Sequence, residues 1–217
     1  MYLVSTPWWL RRFYPTLCWK MDTLEKHIYL TFDDGPHETV TPFVLDTLQQ
    51  YNAKTTFFCI GNNVRKHKEI YSRILAEGHS VGNHTEHHMR GWKTRDYNYL
   101  KDISIAEQVI DSPLFRPPYG RIKRSQIKKL QDVESPMKII MWSVLSGDFD
   151  TTISGENCLK NVLRHSKEGS IVVFHDSAKA WDRLQYALPK VLEHFSEKGF
   201  QFKALPYPVP LQGLGVV

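Results

Sequence analysis

The chain has 217 residues, with 28 lysines and arginines against 23 acidic residues and a formal net charge of +5. That length suits one domain with a sizeable core, since domains run to roughly 100–200 residues. The composition excludes two classes: no segment approaches the ~20 apolar residues of a membrane span, and the basic residues, clustered only at 121–124 and 128–129, read as a solvated helix face and not as a nucleic-acid stripe.

In chain order, residues 1–26 read as an N-terminal extension. Its charges, Arg11 and Arg12, follow its apolar part and no small-residue cleavage site is present, so it lacks the order of a signal peptide. Trp8, Trp9 and Phe13 are expected to pack across the bottom of the domain. The three cysteines, Cys18, Cys59 and Cys158, are odd in number and not in Cys-x-x-Cys pairs, which argues against a disulfide framework. A cytoplasmic location is the resulting expectation, with Cys59 a core residue.

A domain over 27–205 follows, then a tail at 206–217. Candidate strands are 28–32, 55–60, 80–83, 114–116, 138–144, 170–174 and 200–204. Several are short unbroken apolar runs, as expected of parallel strands buried on both faces. Helical patterns lie between them at 42–50, 64–77, 99–110, 123–131, 156–165 and 181–198. Gly78, Gly169 and Gly199 fall where helix C-caps belong, and Ser154 where an N-cap does. The alternation predicts an α/β fold, a distorted and incomplete (β/α) barrel of about seven parallel strands. No Gly-x-Gly-x-x-Gly follows a strand, so a dinucleotide site has no support.

The groups that carry chemistry fall at strand C-termini, the rim on which such barrels build their sites. Asp33 and Asp34 end the first strand in Thr31-Phe32-Asp33-Asp34-Gly35-Pro36. Adjacent residues on a strand point opposite ways, so one acid can bind a metal while the other handles a proton. Two close carboxylates in a buried site are costly unless a cation neutralises one. His84 and His88, four apart after the third strand, would share a face if a helical turn begins there. His87 offers a competing spacing. Two imidazoles and the Asp34 carboxylate suit a catalytic zinc and equally non-haem iron.

His175 closes another strand and is a candidate general acid, with Asp176 expected to bond backbone. Asp148 can support His175. Arg116 can pair with Asp33 and hold it ionised. In Arg116-Pro117-Pro118-Tyr119-Gly120 the Tyr119 N–H stays free and can serve an oxyanion. Trp142 reads as core.

These motifs, in this order, resemble the polysaccharide deacetylase family (NodB homology domain, carbohydrate esterase family 4) from about His27 to Leu205. The resemblance implies a divalent metal, commonly zinc or cobalt, on Asp34, His84 and His88. It implies Asp33 as general base, positioned by Arg116, and His175 as general acid, tuned by Asp148, with the Tyr119 N–H on the oxyanion. The substrate would be an N-acetylated glycan or amino-sugar conjugate. Leu145 stands where the family often has an acid, Phe149 where it often has Trp, and Val173 where it usually has Leu; these read as changes in pocket shape. Hydrolysis of a small amide or imide keeps the fold and changes the bond. A non-catalytic carbohydrate-binding module and an iron oxygenase are further readings, and both leave Asp33, Arg116 and His175 without roles.

Overall fold

The computed structural model describes residues 2–206. Its elements are α1 (Trp8–Phe13), β1 (His27–Asp33), α2 (Val40–Gln50), β2 (Thr56–Cys59), α3 (Gly61–Lys66), α4 (Lys68–Ala76), β3 (Ser80–Asn83), α5 (Asp96–Glu107), β4 (Leu114–Phe115), α6 (Arg124–Gln131), β5 (Lys138–Ile139), β6 (Val144–Leu145), α7 (Gly155–His165), β7 (Ile171–His175), α8 (Trp181–Glu197) and β8 (Gln201–Phe202). The sheet runs β5-β4-β3-β2-β1-β7-β6, its strand pairs parallel, and β8 pairs with the lower end of β1. It curls into the expected distorted, incomplete barrel. Among the described residues no helix is long and apolar enough to cross a membrane.

β1 sits centrally. Phe32 stacks between Phe57 and Phe174 of its two neighbours, at 5.2 and 6.0 Å. Ile28, Leu30 and Phe32 are wholly buried against α2 and α8 residues such as Val44, Leu48, Leu188 and Val191. Burying apolar side chains of this size stabilises the fold by ~1.5–3 kcal/mol each. The register sets Asp33 beside Phe58 on one side and His175 on the other, so the C-terminal ends of the strands come level.

The stretch 138–144, read as one strand, is two. Its start pairs with β4, where Ile140 N–H donates to Phe115 carbonyl at 2.8 Å; its end pairs with β7, where Ser143 N–H donates to Ile171 carbonyl at 3.0 Å. One chain segment therefore crosses from one edge of the sheet to the other and closes the barrel. The carbonyls at the crossing, Ile140 and Met141, bond instead to Arg116 Nε and Nη2, at 3.2 and 3.0 Å. The pattern at 64–77 also divides, at His67, whose φ of −123° and ψ of 50° end α3 and start α4. Gly78 and Gly199 follow helix ends with φ of 78° and 76°, but Gly169 lies in a turn beyond the end of α7. Ser154 caps α7 through Asn157 N–H.

The N-terminal segment lies on the barrel. Ser5 bridges Val144, Cys18 bridges Ile140 and Lys20 bridges Ser170, while Leu17, Trp19 and Met21 are buried. Trp8, Trp9 and Phe13 do not pack across the bottom as expected: they are 76%, 46% and 60% exposed. α1 buries none of its residues, because the apolar contact is made by Leu17, Trp19 and Met21 further along. Cys59 is buried in the core, and all three cysteines are free. The expected tail at 206–217 lies, beyond its first residue, outside the described residues.

Candidate active site

Two adjacent carboxylates at the end of β1 receive opposite surroundings. Asp33 Oδ1 accepts from Arg116 Nη1 at 2.7 Å. The guanidinium is fully buried, 4.1 Å over the Phe58 ring, and also donates to Thr31 Oγ1 at 2.7 Å and to the two crossing carbonyls. A buried arginine with every face occupied fixes its carboxylate partner in place with a charge-assisted hydrogen bond.

Asp34 turns the other way, with φ of 82°. Its Oδ1 lies 3.1 Å from His88 Nε2 and 3.6 Å from His84 Nε2. This oxygen is buried and makes no hydrogen bond. Burial alone would raise the Asp34 carboxyl, but the facing His88, with His175 and His84, holds it well below the ordinary carboxylate range. His84 Nδ1 is 2.8 Å from the Arg116 carbonyl, which leaves Nε2 as its lone-pair nitrogen. Burial draws the His84 pKa down to about 4, so the ring is neutral at pH 7. One ligand atom from each of Asp34, His84 and His88 falls within 4.8 Å of the others. A buried, unsatisfied carboxylate oxygen facing two imidazole nitrogens fits a divalent cation with an open coordination position. The backbone tie His84 Nδ1–Arg116 carbonyl is the support that metal-ligating imidazoles need.

The two histidines do not meet on a helical face. Residues 84–88 are a loop in which Thr85 and His88 have φ of 66° and 55°. Asp102 of α5 holds this loop: its Oδ2 accepts from the Glu86 and His87 N–H groups, both at 3.0 Å, and its Oδ1 takes the His87 ring at 2.6 Å. His87 is thereby turned away from Asp34, which decides between the two histidine spacings. Asp102 was missed in the sequence. Its signal was an acid on the apolar face of α5, in phase with Tyr99, Ile103 and Ala106.

His175, across β1 from Arg116, is gripped twice by Asp148: Oδ1 lies 2.7 Å from Nδ1 and Oδ2 accepts the His175 N–H at 2.6 Å. Burial would lower its pKa; the Asp148 charge and hydrogen bond, with Asp34 and Asp33, outweigh burial and push it up to about 10. Phe149 presents its edge to the imidazole at 5.3 Å and rests on Tyr2 at 5.0 Å. Leu145 and Val173, the other departures from the family pattern, face each other in register and are buried.

Asp176 bonds backbone, as its position suggested. It accepts the Gly35 N–H at 3.0 Å and the Thr41 hydroxyl at 2.6 Å, fastening the turn after the acid pair. A Cβ on Gly35 would meet its Oδ2 at 2.0 Å, so only glycine leaves room for it. Burial, partly offset by the Thr41 bond, pushes Asp176 up to about 8. Asn63, also missed, donates to the Asp34 carbonyl at 2.8 Å. Tyr119 has φ of 60° and its N–H has no hydrogen-bond partner among the described residues. Its ring is 4.6 Å from His88, so the N–H sits in the loop beside the Asp34, His84 and His88 group. Trp142 is only partly buried, against Gly120 and 5.9 Å from the Arg116 guanidinium.

A family model described as polysaccharide deacetylase matches residues 20–137. A peptidoglycan-N-acetylglucosamine deacetylase of Bacillus cereus is 35% identical over 190 residues, 85% of this chain and 88% of the relative. A chitooligosaccharide deacetylase of Azorhizobium caulinodans is 30% identical over 200 residues, 84% of this chain and 94% of the relative. The crystal structure of a peptidoglycan N-acetylglucosamine deacetylase in complex with an N-oxidanyl-benzamide is similar at a TM-score of 0.80 and 32% identity, covering 93% of this chain and 95% of that one.

Proposed function

The chain belongs to the polysaccharide deacetylase family, and on that ground we propose that it hydrolyses the N-acetyl group of N-acetylglucosamine residues in a glycan, giving acetate and a free amino sugar. The observation that carries this reading is the division of labour between Asp33, bound to Arg116, and Asp34, facing two histidines.

Asp34, His84 and His88 would hold a divalent metal, zinc or cobalt by the family resemblance. When bound, it supplies a Lewis acid for the acetyl carbonyl and acidifies water. Asp33, held and aimed by Arg116, accepts the proton of the attacking water as the new C–O bond forms. The Tyr119 N–H donates to the oxygen on which charge develops. His175 is tied at Nδ1 to Asp148, so Nε2 is the atom that gives a proton to the departing nitrogen as the C–N bond breaks. Acetic acid and the amine leave, the acid losing its proton to solvent or to the amine to give acetate, and the proton on Asp33 returns to His175.

The test is acetate release from N-acetylglucosamine oligomers by zinc-supplemented protein, with a chelated control. Asp33→Asn is expected to cut kcat by about 10²–10⁴ while the protein still binds zinc. Full activity in Asp33→Asn would remove Asp33 as the base. A zinc-loaded wild type that releases no acetate would overturn the glycan reading and favour a small amide.

A further inference from the structure

The basic residues that read in the sequence as a solvated face lie on one side of the site. Segments 88–98 and 119–131 together hold eight lysines and arginines and one acid, Asp96. The two segments are packed on each other: Trp92 Nε1 donates to the Ile122 carbonyl at 2.9 Å and Gln126 Nε2 to the Gly91 carbonyl at 3.1 Å. Asp96 is shared by Lys123 and Lys129 at 3.8 and 3.6 Å. Arg90 and Arg121 have no ion pair among the described residues.

These two arginines are not free-swinging surface cations. Arg90 lies 4.4 Å over the Tyr119 ring and Arg121 4.9 Å over the Trp92 ring. Both rings are half exposed, at 49% and 54%. The Arg90–Tyr119 pair continues from the catalytic group, because the Tyr119 ring touches His88 at 4.6 Å. Stacking on a ring restrains a guanidinium and leaves its fork of donors unused, so less ordering cost remains when an anion binds. Eight cations against one acid raise a positive field that gathers anions. A polymer seated with one sugar at Asp34, His84 and His88 can lie along this ledge, with apolar sugar faces on exposed rings.

We propose that the ledge of Tyr119, Arg90, Trp92 and Arg121 binds the glycan next to the sugar being deacetylated, and selects strands that carry carboxylates over neutral ones. The proposal rests on the deacetylase reading and sharpens its substrate class. A carboxylate-bearing glycan is favoured over nucleic acid or lipid because the basic ledge is continuous with the catalytic group and does not form a separate face.

The experiment measures binding apart from turnover. Zinc-supplemented Asp33→Asn protein is titrated by calorimetry with two tetrasaccharides: neutral tetra-N-acetylchitotetraose, and alternating N-acetylglucosamine and N-acetylmuramic acid, which has a carboxylate on every second sugar. The acidic compound is expected to bind about fivefold tighter for each arginine engaged, with the advantage shrinking in 0.5 M salt as screening requires. Adding Arg90→Gln or Arg121→Gln is expected to shrink the ratio of the two Kd values. Equal Kd values at low salt would overturn the proposal, as would a ratio unmoved by either substitution. A single-stranded DNA oligonucleotide or anionic vesicles binding more tightly than the acidic tetrasaccharide would also overturn it. Acetate release by the wild type from either compound, followed separately, reports on the deacetylase reading alone.

Discussion

Asp33 and Asp34 are neighbours in sequence and opposites in surroundings. Under Asp33, the protein completes the site by itself: Arg116 meets Asp33, Thr31 and two backbone carbonyls, and has no surface exposed. Around Asp34, a buried oxygen is left without a donor and two imidazole nitrogens face it. The first half is a structural pair whose charges cancel within the fold. The second is a preorganised cage of a kind that fits a cation from outside. The same dipeptide thus holds one acid in place from within the fold and turns the other toward ligand capture, and the positive φ of Asp34, just past the end of β1, is what separates them.

Breaking the Arg116 side has the largest expected effect. Arg116→Met leaves Asp33 as an uncompensated buried charge and frees two carbonyls at the barrel closure, at a cost of ~3–5 kcal/mol. Denaturant unfolding measures it, and the loss is expected with or without zinc. A variant as stable as wild type would show that the pair contributes no net stability. The Asp34 side should behave differently. His88 is a quarter exposed, so His88→Ala is expected to leave the metal-free protein nearly as stable as wild type. It should remove the metal-linked part, ~2.7 kcal/mol at a zinc concentration a hundred times Kd. Thermal unfolding with and without zinc reads this directly; zinc stabilisation that survives in His88→Ala would put the cation elsewhere.

Most of the site could be read in the sequence because its groups sit at strand ends, where short apolar runs and the residues after them are local signals. Asp33, Asp34, His84, Arg116 and His175 all belong to this class. What was not legible depends on chain geometry. The His84 and His88 spacing suggested a helical face, whereas two residues with positive φ and the Asp102 carboxylate bring the rings together. The 138–144 run reads as one strand because side-chain pattern says nothing about which neighbour each half pairs with. Trp8, Trp9 and Phe13 looked like packing residues, yet Leu17, Trp19 and Met21 do that work, and hydrophobicity alone does not rank two such groups.

A third carboxylate, Asp148, sharpens the comparison because it resembles the Asp33 case in form and the Asp34 case in purpose. Like Arg116 beside Asp33, Asp148 is wholly buried, though it holds its partner with two bonds where Arg116 reaches Asp33 with one; like the Asp34 cage, it prepares a group to act on something outside the fold. Burial lowers the His175 pKa and Asp148 more than offsets it, to about 10. A raised pKa on a base adds stability that is full below the unfolded value near 6.5 and is lost as pH rises toward 10. Since the proton donor must be protonated, activity should hold through neutral pH and fall on the alkaline side. A bound cation offsets the share contributed by Asp34 and draws that limb somewhat below 10. In Asp148→Asn only the smaller Asp34 and Asp33 contributions still oppose burial, so the alkaline limb should move down toward the ordinary histidine range. If the pKa returns to the ordinary 6.5, the protonated fraction at pH 8, and kcat/KM with it, drops on the order of 30-fold. The stability lost above neutral pH in the wild type should then be absent as well. The measurement is kcat/KM for acetate release from pH 5 to 10 for both proteins. An alkaline limb that stays in place in Asp148→Asn would assign that ionisation to another group and leave Asp148 as a scaffold residue only.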